Sequence, residues 1–513
     1  MKQEFLKNNI LSTLKGGVSP LSENVDSCSI HPRHKWQGIL EQSYKNSKFL
    51  LIYPPYTLKE VFGKLSGVGS MQQPLGIGYL GAVLEQSGCQ VKIIDAPPLG
   101  WGIKRIVAEA KKFLPDFIGI SASTVDFNKA VKLARTLKKS AKVPIIIGGP
   151  HVTALPKEVM DFSCFDIGVI GEGEETLVEV VQASMKKGSL RKVAGIVFRD
   201  KRKIVRTSPR PFIKNLDNLP FPARHLMPPL SVYHPTPATY RKFPVGTMIT
   251  SRGCPYQCTF CSREVFGNQW RFRSPESVVR EMAVLISEFG AAEIRLWDDT
   301  FNADPERVLA ICRLIIKKGL DFPWTCLARV NQVSQPMLAL MKKAGCWQIS
   351  YGIESGNEKI LVSTNKGITK KMVKEAVEAT ARVGIQSFGF FILGLPGETK
   401  ETMAETIEFA KSLSLNAANF TMATPYPGTE LWALAKKRGF LKKIAYEKMV
   451  VNLPKKFSFA PEGLKPETIL EYEKKAYKEF YRDPSFVLRQ LRKTGSGPEL
   501  YRKMKAFFTI QSI

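Results

Sequence analysis

The sequence predicts an α/β protein made of two arrays in tandem: a doubly wound, Rossmann-like domain, then a partial (β/α)6 barrel with a helical tail. Three observations predict it. Short apolar runs alternate with helically spaced segments from Lys48 to about residue 190, and the alternation resumes at Val245 and continues to about residue 432. Strands interleaved with helices in this way form parallel sheets covered by helices. Between the arrays, the segment from Pro211 to Pro244 is dense in proline and fits neither pattern.

In the first array, Lys48 to Tyr53 is an apolar run stopped by Pro54 and Pro55, which reads as a buried strand. Pro74 to Gln86 has helical spacing, with Gly88 as its stop. Further strands are expected at 90–95, 117–121, 143–147 and 167–170, with helices near 102–112 and 127–139. Ligands of such sheets bind at the carboxyl ends of the strands. Ser121, Ser123 and Thr124 leave the third strand with three hydroxyls, beside Val125; Gly148 and Gly149 leave the fourth; Gly171, Glu172 and Gly173 leave the fifth. Glycine at such ends serves tight turns and also lets a large flat ligand or a nucleotide tail approach the main chain.

Residues 191–244 read as a connector. Gly195 to Phe198 and Lys203 to Arg206 flank a charged turn as a hairpin, and the prolines beyond give semi-rigid spacing. The second array places strands at 245–251, 293–297, 324–328, 348–352, 387–393 and 418–422, with helices near 275–289, 305–318, 334–344, 369–383 and 399–414. Six βα units fit a partial barrel whose functional loops gather at the carboxyl ends of its strands.

The first of those ends carries the densest chemistry. Ser251 to Ser262 holds Cys254, Cys258 and Cys261 at C-x3-C-x2-C spacing. Thiolates so spaced converge on one soft metal centre, and three protein ligands leave a coordination position open for chemistry. A structural zinc site wants a fourth Cys or His, and the nearest, His225 and His234, lie upstream in the proline-dense segment.

With Phe260 before its last cysteine, this motif resembles the signature of the radical S-adenosylmethionine (SAM) superfamily, and the resemblance covers about residues 245–432. It implies that the three thiolates hold a 4Fe-4S cluster, that SAM chelates the remaining iron, and that one electron cleaves SAM to methionine and a 5'-deoxyadenosyl radical. It further implies SAM contacts at the other strand ends. Asp298 and Asp299 follow the second strand, where helix capping before Asp304 is the ordinary alternative. Arg329, a fork suited to a carboxylate, follows the third; Glu354 and Ser355 follow the fourth; Gly394, its main chain open to an adenine, follows the fifth; Tyr426 follows the sixth. The implied partners are a small-molecule substrate and an electron donor such as ferredoxin or flavodoxin.

The segment Pro74 to Leu80, together with the strand ends of the first array, resembles the cobalamin-binding domain that precedes the radical SAM core in one large subfamily. The implied cobalamin contacts are Gly76 and the strand-end residues named above, from Ser121 to Gly173. Many such domains carry D-x-H-x-x-G, whose histidine coordinates cobalt; here Asp95 and Gly100 are kept but Pro97 stands at the histidine position. Cobalamin is therefore expected without a protein His below cobalt, its lower face near Ser123 and Val125, since His151 sits on a different loop.

The remaining features bound the answer. A chain of 513 residues is long enough for two or three domains, and an apolar fraction of 44% excludes a disordered protein. Nine cysteines make no disulfide framework, and clustered thiols need a reducing compartment, so a cytoplasmic protein is expected. No apolar run approaches 18 residues. A net charge of +29 is either an ordinary basic solvated surface or the sign of an acidic partner, whether nucleic acid, a phosphorylated substrate or an anionic membrane surface. The basic clusters Lys436-Lys437-Arg438, Lys442-Lys443 and Arg502 to Lys505 lack the interleaved aromatics of a single-strand binder, which argues against nucleic acid. Cys28, His31 and His34 in the N-terminal extension 1–47 form only an incidental ligand set, and Cys89, Cys164, Cys312, Cys326 and Cys346 read as buried thiols. The tail 433–513 holds helical segments at Pro466 to Tyr481, Pro484 to Leu491 and Leu500 to Phe508. Packing on the barrel exterior is favoured over closing its mouth, or over peripheral membrane contact through Phe507 and Phe508.

The domain order resembles cobalamin-dependent radical SAM enzymes, in the group that includes the anaerobic magnesium-protoporphyrin monomethyl ester cyclase. It implies hydrogen abstraction from an unactivated carbon followed by C-methylation from methylcobalamin, with oxidative cyclisation as the alternative. A SAM-only enzyme whose front domain binds no cobalamin is a rival suggested by Pro97, and an RNA-modifying protein one suggested by the charge.

Overall fold

The computed structural model describes residues 46–67, 69–441, 446–449 and 459–493. The Cys28, His31 and His34 set, the basic runs at 442–443 and 502–505 and the segment from Leu500 to Phe508 lie outside the described residues.

The first sheet has seven strands, β1 (Lys48–Tyr53), β2 (Gln90–Asp95), β3 (Phe117–Ser121), β4 (Ile145–Gly148), β5 (Ile167–Val169), β6 (Ile196–Asp200) and β7 (Lys203–Arg206), in the order β2-β1-β3-β4-β5-β6-β7. Strands β1 to β5 are parallel; β1, β3, β4 and β5 are apolar runs buried on both faces, while the edge strand β2 carries Gln90 and Lys92. The strand order reverses between β1 and β3, which opens a crevice at their carboxyl ends.

The hairpin expected in the connector instead extends this sheet. Strand β6 pairs antiparallel with β5, with Val169 opposite Ile196, and β7 pairs with β6. Ile196, Val197 and Phe198 are fully buried, which a free connector would not allow. The proline-dense segment is packed too: Ile213, Leu216, Leu219 and Met227 join the core on one face of the sheet. The helix Leu75–Gln86 is apolar nearly all round because it lies between sheet and connector, with the Ala223 N–H donating to Gly78 O at 2.9 Å. On the other face, the helices Ile103–Phe113 and Phe127–Ser140 bury one apolar stripe each and turn their lysines outward.

The second sheet begins with β8 (Val245–Met248). A short antiparallel ladder of β9 (Ser251–Arg252) and β10 (Arg271–Phe272) follows, and then β11 (Glu293–Leu296), β12 (Trp324–Ala328), β13 (Cys346–Glu354), β14 (Gln386–Leu393) and β15 (Ala417–Met422). Six strands lie parallel in the order β8-β11-β12-β13-β14-β15, which makes the partial barrel. The helices between them start where the sequence signals: Ser274, Asp304, Thr369 and Thr399 each accept a main-chain N–H as N-caps.

The helix Pro466–Arg482 covers the free edge of β15. The Tyr481 hydroxyl donates to Ala418 O at 2.7 Å and accepts from Ala418 N at 3.2 Å, and the Tyr477 hydroxyl accepts from Phe420 N at 3.3 Å. These bonds satisfy edge groups that would otherwise template another strand. The helix Pro466–Arg482 therefore packs on the barrel, as its ordinary amphipathicity favours, while Tyr446 and Met449 of the same region join the core of the first domain. Among the described residues every cysteine is free, and no helix is long and apolar enough to cross a membrane.

Candidate functional site

The chain leaves β8 at Met248 and enters the β9–β10 ladder, in which Arg252 pairs with Arg271. Everything between, Gly253 to Trp270, is a loop carrying all three motif cysteines. Gly253 has φ +83°, and a Cβ on it would meet Gln269 O at 2.3 Å, so only glycine lets the two ends of the loop close. The loop is held in its middle as well: Thr259 N–H donates to Thr364 O, and Leu431 N–H donates to Thr259 O, each at 3.1 Å. Cys254 is half-buried, Cys258 buried and Cys261 exposed.

Among the described residues, no three His, Cys, Asp or Glu side chains already stand at metal-ligand distances, the motif thiols included. Thiolates repel one another until a cation gathers them. Neither upstream histidine offers a fourth ligand: His225 pairs with Glu85 at 2.9 Å, and His234 stacks on Phe243 with ring centroids 5.5 Å apart. Cys312, Cys326 and Cys346 are buried in the barrel core.

Several residues expected to meet SAM have other work. Asp298 is fully buried and accepts from Thr250 N at 2.6 Å, Thr250 Oγ1 at 2.7 Å and Ser251 N at 2.5 Å. Its carboxylate braces the stem of the cysteine loop and is not open to a ligand. The neighbouring Asp299 is exposed at the mouth. Gly394 N–H donates to Glu398 at 2.5 Å, and Ile469 of the tail helix covers its Cα, 2.7 Å from a Cβ placed there, so the main chain is not bare on that side. The Ser355 hydroxyl is buried against Thr406 at 3.1 Å. The Tyr426 hydroxyl donates to Met449 O at 2.7 Å, and its ring packs toward the core of the first domain.

The rest converge on the loop. Arg329 lies over the Tyr256 ring at 3.5 Å, with one guanidinium nitrogen 4.0 Å from Cys258 Sγ and another on Lys366 O. It faces the thiol rather than standing free as a fork. Glu354 ends β13 at a register shift with φ +67°, a conformation rare outside glycine, and accepts from Lys366 Nζ at 2.7 Å. Gly352 seats this buried pair, since a Cβ there would meet Glu354 Oε1 at 2.5 Å and Lys366 Nζ at 2.8 Å. Lys366 also approaches the Phe260 ring at 6.0 Å. Sequence reasoning missed Lys366, and the Gly-x-Glu at the strand end was the available signal.

At the front crevice, nothing lies within 4 Å of a Cβ placed on Gly76 or Gly171, so both main chains face open space. Gly148 is half-buried, and Gly149 (φ +105°) brings the β4 turn against Ala122. The Ser123 hydroxyl donates to Asp126 at 2.7 Å, Thr124 Oγ1 meets His151 Nδ1 at 3.4 Å, and Ser121 and Val125 are half-buried beside them. Gly173 packs toward Leu80. Glu172, expected at the crevice, points away from it into two arginines of the barrel, and Arg252 Nη1 donates to it at 2.7 Å. His151 is enclosed between Phe127 and Tyr446, with centroids at 4.1 and 4.6 Å, and burial pushes its pKa down to about 4. Asp95 accepts from the Tyr233 hydroxyl at 2.6 Å, and burial raises its pKa to about 7.

Comparison with known proteins gives two domain matches. The radical SAM superfamily model matches residues 248–410, and the B12-binding domain model matches residues 65–181. The uncharacterized methyltransferase PH0819 of Pyrococcus horikoshii is 36% identical over 452 residues, spanning 87% of this chain and 95% of that protein. The cytidylyl-2-hydroxyethylphosphonate methyltransferase of Streptomyces wedmorensis is 30% identical over 446 residues, 74% of this chain and 82% of that one. Among solved structures, the radical SAM methyltransferase TsrM of Kitasatospora setae, with cobalamin and a 4Fe-4S cluster bound, shares the fold. Its TM-score is 0.67 at 18% identity, covering 91% of this chain and 99% of that one.

Proposed function

The chain belongs to the radical SAM superfamily, in the group that joins a B12-binding domain to the radical SAM domain, and from that premise we propose a cobalamin-dependent methylase acting on a carbon of a small molecule by a radical route. Its cofactors are a 4Fe-4S cluster, SAM and cobalamin. The observation that carries the proposal is the join between the two sites: the stem of the cysteine loop rests directly on the β5 turn of the first domain. Radical formation and methyl delivery must share one closed space, because reacting atoms have to be held at contact distance and away from water.

When bound, the cluster supplies the electron that splits SAM into methionine and a 5'-deoxyadenosyl radical, and cobalamin carries the methyl group. Cys254, Cys258 and Cys261 are assigned as the cluster ligands. Arg329 sets a fixed cation beside Cys258, which offsets thiolate charge. Asp298 holds the stem. Exposed Asp299 is suited to an ammonium group, and the buried Lys366–Glu354 pair borders the loop beside Phe260. Gly76, Gly148 and Gly171 would offer main chain to the corrinoid, and the Ser123 to Val125 turn would border it, with the His151 ring buried against Phe127 and not offered as a ligand. An electron donor such as ferredoxin or flavodoxin is assigned as the redox partner.

The test is anaerobic incubation of the cobalamin-loaded protein with methyl-tritiated SAM and a low-potential reductant. The proposal requires label that stays with the corrinoid through gel filtration. Deoxyadenosine formed with no label on the corrinoid would instead favour oxidative cyclisation or a SAM-only reaction.

A further inference from the structure

The stem of the cysteine loop does not end in the barrel. Arg252 and Arg271 are direct partners across the β9–β10 ladder, and both reach the turn after β5. Arg252 donates to Glu172 at 2.7 Å and to Glu174 at 2.6 Å, and Arg271 donates to Glu172 at 2.8 and 3.0 Å. Glu172 also accepts from Ile213 N at 2.8 Å. The Arg252, Glu172 and Glu174 side chains are 5%, 3% and 6% exposed, and Arg271 is 7% exposed. Aromatic rings hold the arginines in place: Arg252 lies between Tyr79 and Phe266, at 5.1 and 5.2 Å, and Arg271 lies over Phe212 at 4.8 Å.

Burying four charges costs desolvation that their mutual attraction roughly offsets, so a network of this kind serves register better than stability. Its register links two places. Gly171 has φ +77° and faces open space at the carboxyl end of β5, while the next residue, Glu172, points the opposite way into the arginines. On the barrel side, one residue, Gly253, separates Arg252 from Cys254. Each site lies within two residues of backbone from the network.

We infer that Glu172, Glu174, Arg252 and Arg271 make the front crevice and the cysteine loop one thermodynamic unit, so that filling either site raises the affinity of the other. This rests on the assignment of corrinoid and cluster to those sites under Proposed function. A ligand seated on the Gly171–Gly173 turn and a metal gathering Cys254, Cys258 and Cys261 would each fix one end of this network in the arrangement the other needs, and such coupling is reciprocal. The four are positioning residues, acting through the main chain they hold.

The experiment is hydroxocobalamin binding by the full-length protein, followed by absorbance, before and after anaerobic reconstitution with iron and sulfide. The cluster-loaded protein should bind about 5- to 150-fold more tightly, the usual range of coupling between sites. Glu172→Gln and Glu174→Gln should each bring that ratio toward one. A ratio of one in the unaltered protein, or an unchanged ratio in both glutamine variants, would overturn the inference. Should Glu172→Gln fail to fold, Glu174→Gln, which leaves the Arg271–Glu172 pair intact, decides. Protein that takes up neither cobalamin nor iron defeats the site assignments and the inference with them; protein that takes up both independently defeats the inference alone.

Discussion

Arg329 sets a guanidinium nitrogen 4.0 Å from the sulfur of Cys258 and lies over the Tyr256 ring at 3.5 Å. A cation fixed there lowers the energy of added negative charge on the neighbouring sulfur, and hydrogen bonds and charge near ligand sulfurs set cluster potentials. Arg329→Met should leave iron content near that of the parent and shift the cluster midpoint to more negative values by tens of millivolts. A redox titration followed by electron paramagnetic resonance measures this, and an unchanged midpoint would remove Arg329 from the account.

Asp298 and Asp299 are neighbours that differ in access: Asp298 is buried under three donors, and Asp299 is exposed, although desolvation and the Asp298 charge raise its pKa. Asp298→Ala leaves Thr250 and Ser251 donors unpaired in the interior, at a cost of about 2–4 kcal/mol in urea unfolding together with lost iron. Asp299→Asn should change stability by less than about 1 kcal/mol, as surface changes do. It should instead weaken SAM binding in equilibrium dialysis.

Burial between Phe127 and Tyr446 keeps His151 out of the crevice. The cob(II)alamin spectrum of the loaded protein should show no nitrogen coupling from a protein imidazole, and His151→Phe should leave that spectrum unchanged. Coupling that disappears in His151→Phe would make His151 the lower ligand.

Glu473 on the tail helix is 5% exposed, and burial raises its pKa to about 8, with Lys474 alone lowering it and Tyr477 nearby. A carboxyl with a raised folded pKa contributes fully below its ordinary value of 4.5 and loses that contribution as pH rises toward about 8. Thermal stability should therefore fall across that window, by at most about 5 kcal/mol for such a shift. Glu473→Gln should flatten the profile; equal slopes in parent and variant would contradict it.

Much of this architecture is legible in the sequence because it is written locally. Apolar runs, N-caps such as Ser274 and Thr399, and the three cysteines each occupy a few adjacent residues. What was not legible depends on pairing across distance. The β6–β7 hairpin reads the same whether free or paired with β5, and only Ile196 packing opposite Val169 decides. Asp298 and Asp299 look alike until Thr250 turns onto one of them. Glu172 shares a glycine-rich turn with crevice residues, and nothing local says that its side chain faces Arg252 and Arg271. Gly394 has the bare main chain of a ligand contact, yet Ile469, from a helix far along the chain, covers it.

Cys254, Cys258 and Cys261 are proposed to hold a cluster that cleaves SAM, and that assignment can be tested directly. The measurement is iron content and 5'-deoxyadenosine formed from SAM with dithionite, on anaerobically reconstituted protein and on Cys258→Ala. The parent should hold about four irons per chain, as one such cluster requires, and produce deoxyadenosine, with none produced by the variant. Protein that binds no iron, or a Cys258→Ala variant that still makes deoxyadenosine, would contradict it.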